Sequence, residues 1–338
     1  MRQHLCRSRA ARLFGVALLV LLSALASPVN TQAQAQGGRS ATRVWVSVAT
    51  GSDSNPCTRA EPCRDLASAV FAVAVDGEVV ILDSGGYDAV EITKSVQIVA
   101  PEGVHAVIAP ATGITVPGDA NGSMTAVLVN APNATVILRN LTINRHQTIS
   151  NAIRAIAVGT LHVENCVLNG LNNLNSSDSG ISFAANGRLT VRDTMVRNNG
   201  IGILVFAPSG GTAHASIDRS RLDGNQTGII ASSNSRVTVS NTLAANGGNV
   251  GFLANAQPSE PSELNCDNCV ASNFYTGFAR GSGAGAVMRV ARSVATNNNY
   301  GFQNSGAGKF KSLAGTNMVD GNVINRSGTI TTFSPDAF

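Results

Sequence analysis

Between Leu189 and Ala207 the chain alternates apolar and polar positions, breaks at a polar corner, and resumes: Leu189, Val191, Val196, Ile201, Ile203 and Val205 are apolar, whereas Thr190, Arg192, Arg197 and Asn198 are not. Alternation at period two marks a strand with one buried face. The same order recurs from Ala215 to Ser232 and from Val237 to Ala254: an alternating strand, a short second strand, Asn or Gly, then Gly and an apolar strand. Aligning Asn140, Asn165, Asp193, Arg219, Asn241, Asn268 and Arg292 as one corner gives a period of about 25 residues, within the range that signals a solenoid. Each repeat is expected to be one coil of three strands.

The alignment predicts the core in columns. Before the corner, Leu138, Val163, Val191, Ile217, Val239, Cys266 and Val290 should point inward; after it, Ile143, Leu168, Val196, Leu222, Ala244, Ala271 and Ala295 should do so again. A second corner column runs Gly170, Asn198, Gly224, Asn246, Asn273, Asn297 and Gly321, residue types that tolerate the left-handed conformation of a tight turn. In the third strand Gly precedes Ile181, Ile203, Ile229, Phe252, Phe278 and Phe302, so the three phenylalanines should stack inside the last coils.

The N-terminal part is different. Val44 to Val48 alternates as a strand, the loop from Gly51 to Cys57 is turn-rich, and Asp65 to Val75 reads as the one helix, opened by an acidic residue. A lone helix ahead of stacked strands is suited to covering the first open edge. The expected organisation is a signal peptide over 1–35, a cap over 36–78, coils over 79–325 and a tail over 326–338. Composition agrees with an extended β protein, since only 13% of residues are charged, 4% are aromatic and 34 are Gly.

Arg2, Arg7, Arg9 and Arg12 precede an apolar run from Phe14 to Ala26 and small-residue cleavage sequences, which reads as an export signal to the periplasm or exterior. An uncleaved N-terminal anchor is the rival. Removing the segment takes four of the 24 basic residues and leaves 20 against 20 acidic ones, so net charge gives no argument for nucleic acid or an anionic membrane, and no membrane span is expected afterwards. Cys57 and Cys63 bracket a short turn-rich loop and suit a disulfide in an oxidising compartment. Cys266 and Cys269 form a CxxC without the βαβ context of a redox motif. A structural pair and two buried thiols both remain open for them.

The G-x-D-x-N-P-C segment, the helix, the GEVVILDSGGY stretch and the N-x-x-G-I/F repeats together resemble the right-handed parallel β-helix proteins of the pectate-lyase-like superfamily, over nearly all of the chain after the signal. The resemblance implies an all-β right-handed parallel β-helix with a short capping helix. Its functions span lyases, hydrolases, esterases, tailspikes and adhesins, so it implies no single activity.

Chemistry is sought on the outward positions of the first strand. One outward column runs Arg139, Glu164, Arg192, Asp218, Ser240, Asp267, Ala291, and its neighbour Ile137, His162, Thr190, Ser216, Thr238, Asn265, Arg289. Glu164 and Asp218, two coils apart, would stand about 10 Å apart along the backbone, near the carboxylate separation of inverting glycosidases. Arg192 between them is a candidate for holding a sugar carboxylate or for proton abstraction, as arginine serves in the polysaccharide lyases this fold resembles. The polygalacturonase set of N-x-D, D-D and H-G is absent, as is the acidic calcium cluster of pectate lyases. No metal or other cofactor is therefore expected, and a calcium ion on Asp178 has only one carboxylate to support it. Arg139, His162, Asp267, Tyr275 and Arg289 are further candidates for contact with a polysaccharide. Tyr275 and Tyr300 sit at successive coil corners, where a ring can stack on sugar. Three functions follow: binding of an extracellular or cell-envelope polysaccharide on this face, lyase or hydrolase chemistry there through Glu164, Arg192 and Asp218, or a structural or adhesive solenoid.

Overall fold

The computed structural model describes residues 41–145, 148–170 and 178–334. The expected signal segment and most of the polar loop after Gly170 lie outside these residues. Among the described residues no helix is long and apolar enough to cross a membrane.

The chain is a parallel β-helix. In the repeat containing Arg192, the strand Arg188–Arg192 forms the first face, Met195–Arg197 the second and Ile201–Val205 the third, and the next coil follows with Ala213–Asp218, Arg221–Asp223 and Thr227–Ala231. Each strand pairs in parallel with its counterpart one coil away, so Leu189 lies against Ala215, then Val237, Leu264, Met288 and Phe310. Earlier, the strands Met124–Arg139 and Asn151–Glu164 run through the third and first faces without interruption. Only Ile114–Thr115 pairs antiparallel among the described strands.

Both predicted core columns lie inside, every member at most 2% exposed. Burying each such Val, Ile or Leu contributes about 1.5–3 kcal/mol, and because every coil adds to the same column, stability accumulates along the axis. Phe252 and Phe278 stack as expected with ring centroids 4.9 Å apart, whereas Phe278 and Phe302 meet edge-on at 5.4 Å, and Phe310 reaches Phe302 from the first face at 5.1 Å.

The corners correct part of the sequence reading. Asn198, Gly224, Asn246, Asn273, Asn297 and Gly321 are left-handed, but Gly170 is not. The first corner is left-handed at all seven positions, with φ of 44–60° from Asn140 to Arg292, although Arg219 and Arg292 are residues that rarely adopt it. A single left-handed residue turns the chain between the first and second faces, and side-chain bonds along the corner offset its cost: Asn165 donates to Asn140 at 2.9 Å and Asn268 to Asn241 at 2.7 Å.

The residue after each first corner is buried and forms a further inward ladder of Cys166, Thr194, Ser220, Thr242, Cys269 and Ser293. Thr194, Ser220, Thr242 and Ser293 each donate to the carbonyl two residues back, at 2.7–3.0 Å. This resolves the CxxC: Cys266 occupies the first-face core column and Cys269 this ladder, and both are free thiols. Burial pushes the Cys166 thiol up to about 12 and that of Cys266 well above its ordinary value, so neither is a nucleophile at neutral pH.

The cap also differs in detail. The helix is Leu66–Ala72 rather than 65–75, because Val73 already opens the strand Val73–Ile81. Asp65 is the N-cap, yet its side chain makes no capping bond. The first strand, Ala41–Val46, pairs in parallel with Val73–Ile81, so the solenoid begins inside the expected cap. Leu66, Ala69 and Val70 bury the helix against these strands. Cys57 and Cys63 are bonded, with Cα atoms 4.5 Å apart. At the other end, Ile324–Ser327 and Ile330–Phe333 pair with the third and first faces, so strands continue into the expected tail.

Candidate functional site

The two outward columns of the first face are in the predicted register. Glu164 lies between Arg139 and Arg192, Arg192 between Glu164 and Asp218, and His162 between Ile137 and Thr190. Adjacency does not make the expected cluster. Arg139 donates two bonds to Glu164 at 2.7 and 2.9 Å, which turns that carboxylate toward the N-terminal coil and away from Arg192. Asp218 accepts from Ser240 at 2.8 Å, Asn241 at 2.9 Å and Arg219 at 2.5 Å. The bonds from Asn241 and Ser240, with the nearby Arg219 and Arg192 charges, outweigh burial and hold the Asp218 carboxyl below its ordinary value. It is a fixed anion, unsuited to donating a proton as a general acid.

The other acids beside this face are occupied too. Asp193 is held by Arg219 at 2.8 and 2.9 Å, Asp267 by Arg292, and Glu263 by Arg289 at 3.1 Å, with Asn265 also accepting from Arg289 at 2.9 Å. Asp178 is buried against Arg145 at 2.7 Å, which makes it an ion-pair member rather than a free calcium ligand. Among the described residues no cluster of three or more His, Cys, Asp and Glu is placed to hold a metal. Tyr275 is 49% exposed and meets Tyr300 edge-on at 5.5 Å, but it precedes a third-face strand and does not share the first face.

One outward column was missed. Two residues upstream of the neighbour column, Arg188, His214, Arg236 and Glu263 are stacked in register. The signal was present in the alternation, because Arg188 shares a face with Thr190 and Arg192 by the same period of two. Arg188, His214 and Arg236, with the hydroxyls of Thr190, Ser216 and Thr238, line a shallow concavity of about 410 Å³. Arg188, Arg192 and Arg236 are exposed. Among the described residues none of these three has an acid within ion-pairing distance. The acids beside this face are thus neutralised by Arg139, Arg219, Arg289 and Arg292, while three further arginines and their hydroxyl neighbours remain open to solvent.

Neither a family model nor a curated protein matches the chain. Solved structures do. An alginate lyase from Paenibacillus sp. str. FPU-7 superposes with a TM-score of 0.57 at 14% identity, over 86% of this chain and 100% of that one. The pectate lyase Pel9A aligns at 0.44 and 12%, over 87% and 77%, and a rhamnogalacturonan lyase at 0.38 and 13%, over 74% and 87%. At such identities the likeness is one of fold alone: this chain is a parallel β-helix.

Proposed function

We propose that the protein is exported and binds an acidic extracellular or cell-envelope polysaccharide along the outward side of its first face. The observation that carries this reading is the set of three unpaired arginines, Arg188, Arg192 and Arg236, beside the hydroxyls of Thr190, Ser216 and Thr238. A guanidinium offers paired donors to a carboxylate, and hydroxyls both donate to and accept from sugar hydroxyls. Arg188 and Arg236 stand two strands apart, about 10 Å, so a polymer lying along the solenoid axis presents its acidic groups to successive coils. The Cys57–Cys63 bond fits an oxidising compartment and supports the export part of the reading.

Chemistry at this face is the weaker alternative, because Glu164 and Asp218 are each committed to a partner of their own. Calorimetric titration with polygalacturonate, alginate and a neutral glucan separates the readings. Binding of the acidic polymers alone, weakened by salt through screening, is expected. Equal binding of the neutral glucan, or none of any polymer, overturns the proposal. Growth of unsaturated-product absorbance that is lost in Glu164→Gln or Asp218→Asn would replace it with the lyase.

A further inference from the structure

Toward the C-terminal end of the same face lies a second concavity, of about 470 Å³, lined by Asn304, Lys309, Lys311, Thr329 and Thr331 and by the turn containing Gly306 and Gly308. Behind that turn is Arg280, 0% exposed and the largest fully buried side chain. Its guanidinium donates to Asn304 Oδ1 at 2.6 Å and to the carbonyls of Gly281 and Gly283, all neutral acceptors. Among the described residues it has no carboxylate partner, and its Nη2 has no hydrogen-bond acceptor. The covering is thin: a methyl group on Gly306 would stand 3.2 Å from Nη2, and one on Gly308 would stand 3.1 Å from Cζ. A buried cation without a counter-charge is costly, and an anion in the adjoining space would offset that cost.

We propose that this concavity is an oxyanion site for a carboxylate or sulfate ester carried on a sugar. Lys309 and Lys311 supply mobile donors at its rim, Thr329 supplies a hydroxyl, Thr331 lines the wall with its own hydroxyl donated to the Phe310 carbonyl at 3.2 Å, and Arg280 supplies a fixed positive charge behind the glycine turn. Lys309 and Lys311 belong to the first face, paired in parallel with Val287 and Arg289. Four strand spacings separate Ala213–Asp218 from Lys309–Leu313, so the two concavities lie about 19 Å apart at ~4.8 Å per strand. The anion site stands on its own geometry. Its second consequence rests on the polysaccharide reading: a polymer long enough to reach both concavities binds bivalently, and a short oligomer does not.

Acetylation footprinting of the full chain tests the site without a polymer. Sodium sulfate and, separately, galacturonate monomer should each slow modification of Lys309 and Lys311 severalfold while leaving Lys94 unchanged, and Arg280→Gln should abolish that protection. Protection of neither lysine by either anion overturns the site, and protection unchanged in Arg280→Gln overturns the part given to the buried charge. The anion that protects at lower concentration distinguishes a carboxylate source from a sulfate ester. With a galacturonate oligomer series, Lys309→Ser/Lys311→Ser, both at surface positions, should weaken long oligomers roughly tenfold, while short ones lose this second site and keep their affinity for the arginine concavity. Loss independent of length overturns the bridging. If the wild type binds no oligomer while sulfate still protects both lysines, the polysaccharide reading fails and the anion site stands.

Discussion

Two columns on one sheet, four residues apart along each strand, have opposite electrostatic fates. The column nearest the first corner holds Glu164, Asp218 and Asp267, and each is neutralised: by Arg139 within the column, and by Arg219 and Arg292 from the corner itself. The column nearest the opposite turn holds Arg188, His214, Arg236 and Glu263; Glu263 is taken by Arg289 at 3.1 Å, and among the described residues Arg188 and Arg236 form no ion pair. Exposure does not explain the contrast, since both columns face solvent. The corner accounts for how the acids are met, because Arg219 and Arg292 reach from it to Asp218 and Asp267, whereas Arg192 beside the corner and Arg188 and Arg236 at the far end of the strands form no ion pair among the described residues. Paired charges on a solvated sheet are structural neutralisation, and unpaired ones are available to a ligand.

Replacing Arg188 and Arg236 by Ser tests the contrast most strongly. Affinity for acidic polysaccharide should fall by about 3 kcal/mol or more, as two charged hydrogen bonds are lost, with the melting temperature unchanged. The same titration on Arg139→Ser should show no loss, and equal losses in both variants would erase the distinction. At the corners the effect should appear in stability instead. Asn246→Val should destabilise by about 1–2 kcal/mol or more in denaturant melts through left-handed strain, whereas Asn246→Gly should be milder. Part of both losses comes from the bonds Asn246 makes to Asp223 at 2.8 Å and accepts from Asn273 at 3.0 Å. Equal tolerance of Val and Gly would show that Asn246 is not held in the left-handed conformation this second corner requires.

Smaller still is the Arg139–Glu164 pair, half open to water, whose removal by Arg139→Ala should cost well under about 1 kcal/mol. The gentlest test is pH. Bonds from Arg219 hold the Asp193 carboxyl below its ordinary value of 3.8, and those from Asn241 and Ser240 do the same for Asp218. A carboxylate depressed in the folded state stabilises above its unfolded value, and that contribution disappears as pH falls through the folded one. A shallow loss of stability below about pH 4 is therefore expected. Arg219→Gln should remove the Asp193 share of this loss and leave most of the Asp218 share, and an unchanged acid limb in that variant would mean the corner arginine does not hold Asp193 down.

Much of this architecture was legible in the chain. Val191, Ile217 and Val239 align at period two, Val196, Leu222 and Ala244 align again after the corner, and one helix stands apart from the repeats, because side-chain alternation and repeat length are local properties of sequence. Arg188 and Arg236 were equally visible, two residues before Thr190 and Thr238, but exposed arginines stand out as a site only once their potential partners have been placed. Glu164 failed as a partner for Arg192 for the same reason: register places it equally near Arg139, and only side-chain geometry chooses between them.

The sequence by itself determined the coil, its core columns and the residues that face outward, since all three follow from the period of two and the period of the repeat. Tertiary structure alone decided which charges cancel, because that depends on the direction each corner turns its side chains. It also decided that Arg280 lies buried behind Gly306 and Gly308, since what covers a side chain comes from the next coil, about 25 residues further along the chain.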